Sequence, residues 1–125
     1  MQRFTNNYTM IKIKDSHLTI NVENIEKSIN FYECIGFTLK ERWGNHYALI
    51  AAPGIKIGLH PTIDINILGN SGHLSIGFTT EDFEKTKSTL RELEIELKER
   101  TEEGGKFIFF NDPDGTSLYF IQPAW

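Results

Sequence analysis

Residues 17–22 read HLTINV and residues 73–78 read HLSIGF, so the chain repeats one alternating pattern 56 residues later (73 − 17 = 56). In each stretch a histidine comes first, and apolar side chains then alternate with polar or small ones. That period of two is typical of a strand with one buried face, and it puts His17 and His73 on the face opposite the apolar residues. A repeat at this spacing indicates two copies of one supersecondary unit.

Both copies of the pattern continue into a helix. Asn24 is suited to cap the first helix, which is expected to end at Gly36 in a left-handed conformation. In the second copy, Thr79 or Thr80 is expected to be the cap, and Phe83 begins the apolar stripe. Short connections rich in turn residues then separate three strand candidates in each half. The predicted order is β-α-β-β-β, twice.

The predicted organisation is an N-terminal extension over residues 1–14 and a single domain over residues 15–125. Within the domain, module one covers 15–61, a linker rich in Pro, Gly, Asn and Ser covers 61–72, and module two covers 73–123. Alternating strands, one helix per module and short turns predict an α+β fold.

Length and charge exclude several classes of partner. A chain of 125 residues can bury a core unaided, and its net charge of −4, with acids and bases interspersed, argues against a nucleic-acid partner. No apolar run approaches the roughly 20 residues of a membrane span, and the first residues lack the apolar core of a signal peptide. We therefore expect a cytoplasmic protein without a membrane partner. The single cysteine, Cys34, excludes an intrachain disulfide and is expected to be a small buried side chain.

Four features occur in order over roughly residues 15–123: His17 opening the first strand, SINFYECIGF over residues 28–37, His73 opening the second half, and the turn DPDG at Asp112–Gly115. Together they resemble the vicinal oxygen chelate superfamily. The superfamily includes glyoxalase I, bleomycin-resistance proteins, extradiol dioxygenases and fosfomycin-inactivating transferases. The resemblance implies two βαβββ modules whose curved sheets form an incomplete barrel around a central cavity. It also implies a homodimer, and the linker is long enough for two chains to exchange modules.

Metal-dependent members of the superfamily hold their ion with a histidine at the start of each module and a carboxylate on each last strand. The resemblance assigns His17 and His73 to the two histidine positions. The carboxylate positions correspond to Gly58 and Tyr119, and neither residue supplies a carboxylate. His60 lies two residues after Gly58, on the same face of the strand. A rearranged site of His17, His60 and His73 is therefore the remaining way to bind a metal.

Without a metal, the same three histidines are expected to line a pocket for an organic ligand. Tyr119 is expected to point into the cavity, because its neighbours in the strand take the core side. Trp43 and Tyr47 flank a predicted hairpin near the rim, where aromatic rings suit stacking on a planar ligand. The candidate pocket consists of His17, His60, His73, Tyr119, Trp43 and Tyr47.

Three interpretations of the function remain open. The first is a protein without a cofactor that binds or sequesters a small planar or cationic molecule. The second is a lyase, isomerase or dioxygenase that uses a divalent metal with an altered, histidine-rich ligand set. The third is a structural or regulatory subunit. The missing carboxylates favour the first over the second, and the inward polar and aromatic residues favour it over the third.

Overall fold

The structure is a computed structural model, and it describes residues 11–68 and 74–125. Module one consists of β1 (Leu18–Val22), α1 (Ile25–Cys34), β2 (Thr38–Trp43), β3 (Tyr47–Ala52) and β4 (Ile55–Pro61). A short 3-10 helix, Ile65–Ile67, follows it. Module two consists of β5 (Ser75–Phe78), α2 (Phe83–Glu92), β6 (Lys98–Glu102), β7 (Gly105–Asn111) and β8 (Ser117–Pro123). The predicted order β-α-β-β-β therefore occurs twice.

Each module forms its own four-stranded sheet. The strand order is β1-β4-β3-β2 in module one and β5-β8-β7-β6 in module two. The last three strands of each module are antiparallel neighbours, as the short turns predict, whereas the first strand pairs in parallel with the last. Parallel neighbours require a long crossover, which the helix and two strands between them provide. The two open sheets confirm the predicted α+β fold of paired βαβββ modules.

Side-chain caps fix where the helices begin. The Asn24 side chain accepts a hydrogen bond of 3.0 Å from the N–H of Lys27, as predicted for an N-cap. In module two the cap is Asp82, whose carboxylate accepts a 3.0 Å bond from the N–H of Lys85. The expected threonine cap is therefore wrong, because a carboxylate placed directly before the first helical residue satisfies the free N–H groups of the first turn.

Both helices pack on one face of their sheets through large apolar side chains. Ile25 and Ile29 of α1, like Phe83 and Leu90 of α2, are buried and share one core cluster with the strands. Burying a side chain of this size contributes about 1.5–3 kcal/mol. Since alternate strand residues point away from the helices, each sheet has a second face, called the inner face below.

A buried polar contact joins the two modules. The Tyr32 hydroxyl donates a 2.7 Å hydrogen bond to the carboxylate of Asp112, in the turn before β8, and both residues are buried. The other oxygen of Asp112 accepts the N–H groups of Asp114 at 2.9 Å and Thr116 at 2.8 Å. Burial, and then the charge of Asp112, raise the pKa of Tyr32 far above its usual range, so this hydroxyl remains a donor. The predicted DPDG turn thus also holds the modules together.

Aromatic contacts extend the junction between the modules. Phe31 lies 6.4 Å from Phe110, and Phe37 lies 5.7 Å from Phe78, measured between ring centroids. All four side chains belong to the shared core or pack against it, on the side of the sheets where the helices lie. These contacts therefore join the modules without covering the inner faces.

Cys34 is exposed, although it was expected to be buried. It lies two residues after the buried Tyr32, and two residues turn about 200° around a helix, so its side chain leaves the buried stripe. Of the helices in the described part of the chain, none has the length and apolar character that a membrane span requires.

Candidate ligand-binding site

The inner face of module one is centred on Gly58 of β4. Gly58 pairs with Thr19 of β1 on one side and with Leu49 of β3 on the other. His60 lies on the same face near the end of β4, and His17 directly precedes β1. Both histidines are exposed. Because β1 and β4 run in parallel, the two imidazoles lie towards opposite ends of this strand pair.

The spacing of these histidines does not suit a shared metal ion within one chain. The register of β1 against β4 puts His17 level with Lys56, four residues before His60 (60 − 56 = 4). At about 3.3 Å per residue, the backbone positions of His17 and His60 lie about 13 Å apart along the strands. A zinc ion shared by both would have to lie about 2.1 Å from each imidazole. His73 lies outside the described residues. Within the described part of the chain, no three His, Cys, Asp or Glu side chains are grouped as a metal site requires.

Tyr47 fills the space above Gly58. Its hydroxyl lies 3.1 Å from Oγ1 of Thr19, within hydrogen-bond distance. A side chain at position 58 would overlap the Tyr47 hydroxyl, so glycine is what lets the tyrosine cross the sheet. The Trp43 ring lies 5.7 Å from the Tyr47 ring and is 52% exposed. The hydroxyl groups of Thr19 and Tyr47 and the rings of Tyr47 and Trp43 therefore occupy this face.

Glu41 is an inner-face carboxylate that reasoning from the sequence missed. The register of β2 against β3 shifts, so that Leu39 pairs with the core residue Ile50 whereas Glu41 pairs with the inner-face residue Leu49. A bulge of one extra residue has this effect, and the sequence of β2, TLKERW, gives no sign of it. Glu41 on β2 is separated from β1 by three strand spacings of about 4.8 Å each. Its carboxylate is therefore too far away to bind a metal ion together with groups on β1.

The inner face of module two is centred on Tyr119 of β8. Tyr119 pairs with Gly77 of β5, and its ring lies so close that a side chain at position 77 would overlap it. Tyr119 matches Gly58, since each lies between two buried residues of its strand. Their partners Thr19 and Gly77 are 58 residues apart (77 − 19 = 58). First-strand residues that match by strand register are therefore 58 apart, whereas those that match by the sequence repeat are 56 apart. The difference of two residues is one full period of a strand, so both comparisons assign the same faces.

Three more inner-face residues of module two were not found from the sequence: Phe107, Phe109 and Arg100. Strand β7 contains four consecutive apolar residues, 107–110, which offer no alternation to tell its faces apart. In the structure the other two apolar residues are buried, whereas Phe107 and Phe109 lie 5.9 Å and 5.7 Å from the Tyr119 ring. The sequence of β6, KERTE, contains no apolar residue and gave no sign that Arg100 lies beside aromatic rings.

The two inner faces combine aromatic rings with hydroxyl, imidazole and guanidinium groups. Such a set binds a small molecule by stacking and directed hydrogen bonds. In the single chain these side chains are half-buried or exposed. A ligand lying on either sheet would thus be covered by protein on one side and open on the other.

Comparison with known proteins places the chain in a family. The family model described as Glyoxalase/Bleomycin resistance protein/Dioxygenase superfamily matches residues 16–120. Metallothiol transferase FosB of Lysinibacillus sphaericus is 31% identical over 112 residues, which cover 84% of this chain and 79% of that protein. Glutathione transferase FosA of Serratia marcescens is 27% identical over 107 residues, covering 82% of this chain and 76% of that protein.

Solved structures share the fold. TnmS3, an antibiotic binding protein from Streptomyces sp. CB03234, superposes with a TM-score of 0.72 at 24% identity, covering 90% of this chain and all (100%) of that one. A bleomycin-binding protein complexed with bleomycin superposes with a TM-score of 0.66 at 17% identity, covering 88% and 98%. The sequence match and the paired modules agree with the resemblance seen in the motifs. The chain belongs to the Glyoxalase/Bleomycin resistance protein/Dioxygenase superfamily.

Proposed function

We propose that the chain binds a small organic molecule on its inner faces and uses no metal to do so. The observation that carries this proposal is the pair of tyrosines at the centre of the two sheets. Tyr47 lies over Gly58, and Tyr119 lies over Gly77. Phenol rings thus stand where the resemblance expects carboxylates. A tyrosine is in general a poor metal ligand at neutral pH, but it offers a flat surface for stacking and a hydroxyl for hydrogen bonding.

The alternative is a metal-dependent lyase, isomerase or dioxygenase of the same superfamily. One relative bears the name Metallothiol transferase, which keeps this alternative in view. Its ligands here would be His17, His60 and His73. The binding function is favoured because the register of β1 against β4 separates the first two of these histidines, whereas the aromatic rings are already in contact.

Metal content and ligand binding test the proposal together. Elemental analysis of protein dialysed without chelator is expected to give substoichiometric zinc, nickel, manganese and iron, because the register of β1 against β4 separates His17 from His60 and leaves too few ligands together for a strong site. The same protein is expected to bind the neutral planar probe naphthalene-2-carboxamide in a calorimetric titration. Tyr119→Ala removes a ring from the site and is expected to weaken this binding about tenfold.

Tyr119→Phe is the matched control, since it keeps the ring and is expected to keep the binding. Thermal unfolding shows whether each variant is folded. Stoichiometric metal in the wild type, lost in both His17→Ala and His73→Ala, would overturn the proposal in favour of the enzyme. If His60→Ala lost the metal as well, the three-histidine site would be established.

We also propose that a second copy of the chain covers the inner faces, giving a homodimer. Large apolar side chains are exposed in the single chain, and they include Ile63 at 102%, Ile65 at 73% and Trp43 at 52%. Ile63 and Ile65 lie two residues apart in one exposed segment, and neighbouring exposed apolar side chains are typical of an interaction surface. The two isoleucines lie just after β4, where the chain leaves module one. A dimer would close the open side of the ligand site and bury these residues.

Sedimentation at micromolar concentration is expected to show a dimer. The double variant Ile63→Asp/Ile65→Asp is expected to weaken association by at least about a hundredfold, because each buried isoleucine contributes about 1.5–3 kcal/mol. Asn66→Asp, which adds a charge to the same exposed segment without removing an isoleucine, is the control and is expected to remain dimeric. A wild-type protein that sediments only as a monomer would contradict the dimer.

A further inference from the structure

Three aromatic rings form a continuous surface on the inner face of module two. Phe107 and Phe109 are stacked, with centroids 5.6 Å apart and planes at 7°. The Tyr119 ring lies beside both, at 5.9 Å and 5.7 Å. All three are half-buried, so each exposes part of its ring. Gly77 lets Tyr119 lie close against the sheet, because any side chain there would overlap the ring. The result is a broad apolar surface, called the aromatic platform below, suited to a planar molecule.

Two cations border the aromatic platform on β6. Arg100 pairs with Phe107, and its guanidinium lies 5.7 Å from the centroid of the Phe109 ring. Lys98 pairs with Phe109 on the same face and is exposed. Glu102 lies on the same face of β6, 3.4 Å from Arg100 in an exposed pair, and such a pair holds the guanidinium only weakly.

The positive charge at this border is local to the inner face. The chain as a whole has a net charge of −4. On the opposite face of β6, Glu99 is held by Lys87 at 2.9 Å and by Arg91 at 2.7 Å, so that part of the strand is already neutralised. The inner face of β6 therefore offers cations next to aromatic rings, within a chain that is otherwise acidic.

We propose that the ligand of module two is a planar aromatic molecule that carries a carboxylate attached directly to its ring system. The ring lies on the aromatic platform, and the carboxylate meets Arg100, with Lys98 beside it. A guanidinium fork matches the two oxygens of a carboxylate, which is why arginine is suited to this role. Adjacent strands are about 4.8 Å apart, so a carboxylate on the ring itself spans from β7 to β6. This inference rests on the proposed binding function and adds the charge and shape of the ligand.

Three probes of the same shape and different charge test the inference in calorimetric titrations of the full chain at neutral pH. They are naphthalene-2-carboxylate, naphthalene-2-carboxamide and 2-naphthylmethylammonium. The carboxylate is expected to bind about fivefold more tightly than the amide, and the ammonium more weakly than either, as a partly exposed ion pair allows. Arg100→Gln is expected to remove most of the preference for carboxylate over amide and to leave amide binding within about twofold.

Lys106→Gln is the matched control, because Lys106 is an exposed cation on the neighbouring strand β7 that points to the opposite face. It is expected to keep the preference for the carboxylate. Phe109→Leu is expected to weaken the carboxylate and the amide equally, by about tenfold, and thermal unfolding of this variant checks its folding. Arg100 is exposed, so Arg100→Gln is expected to leave folding unchanged and its binding result needs no unfolding control.

Equal binding of the carboxylate and the amide by the wild type would overturn this inference and leave the binding function intact. The same conclusion would follow if Arg100→Gln and Lys106→Gln reduced the preference equally, since a general charge effect would then explain it. Failure of all three probes to bind would overturn the binding function as well.

Discussion

Replacing Asp112 with alanine is expected to lower the free energy of unfolding by on the order of 4 kcal/mol. The Asp112 carboxylate is buried and accepts three hydrogen bonds, one from Tyr32 across the modules and two from backbone N–H groups of its own turn. Alanine would leave all three donors without a partner in a place that water does not reach freely. Urea unfolding at a fixed protein concentration measures the loss.

Tyr32→Phe separates the two parts of this contact. It removes the bond between the modules but keeps the turn around Asp112, so the expected loss is about 1–2 kcal/mol. The difference between the two variants gives the contribution of the backbone bonds within the turn. An Asp112→Ala protein that unfolds within 1 kcal/mol of the wild type would show that this contact contributes little to holding the modules together, and would contradict the role given to Asp112.

Gly105→Ala is expected to destabilise the protein by about 3 kcal/mol. Gly105 begins β7 with φ at +136°, a backbone conformation that residues with a side chain rarely adopt. In addition, a methyl group there would overlap the backbone carbonyl oxygen of Gln122 on β8, and a backbone atom cannot rotate away as a side chain can. The β6–β7 hairpin would have to move. Because this hairpin carries Arg100 and Phe107, binding of planar probes is expected to weaken along with stability.

The preceding residue supplies a matched control. Gly104 lies in the same turn, but its φ is outside the left-handed region and a methyl group there would approach nothing nearer than the Phe107 ring, at 3.9 Å. Gly104→Ala is expected to change stability by less than about 0.5 kcal/mol. Chemical unfolding of both variants makes the comparison. If the two substitutions had equal effects, the conformation described for Gly105 would be wrong.

The sequence predicted the architecture because the signals it rests on are local. The alternating repeats at residues 17–22 and 73–78, followed by helix caps and turn residues, are sufficient to order strands and helices. The resemblance to a known family then pointed to Gly58 on the last strand of module one. That Tyr47 lies over Gly58 could not be predicted, since it depends on the register between two strands and on the absence of a side chain on one of them.

Face assignment failed where the local pattern was silent or interrupted. In β7, residues 107–110 are all apolar, so only packing against α1 and the shared core decides which of them are buried. In α1, Cys34 was expected to be buried because of its apolar neighbours, but the helical angle from Tyr32 turns it to solvent. For β7 the deciding quantity is packing set by the tertiary structure, which the local sequence does not contain. For Cys34 it is the helical angle alone, which outweighs the apolar character of the neighbouring residues.

The bulge in β2 makes this strand tolerant of a change in length. An extra residue in a regular strand would turn every later side chain to the other face. Here Lys40 is the residue left out of the pairing, so Glu41 and Trp43 lie on the inner face. Arg42, between them, points to the helix side, where its guanidinium lies 3.1 Å from the Glu26 carboxylate. Deleting Lys40 would restore a regular ladder without changing those faces. A sequence alignment with a relative whose β2 is one residue shorter therefore needs a gap at Lys40. Without the gap, inner-face positions of one chain would be aligned with core positions of the other.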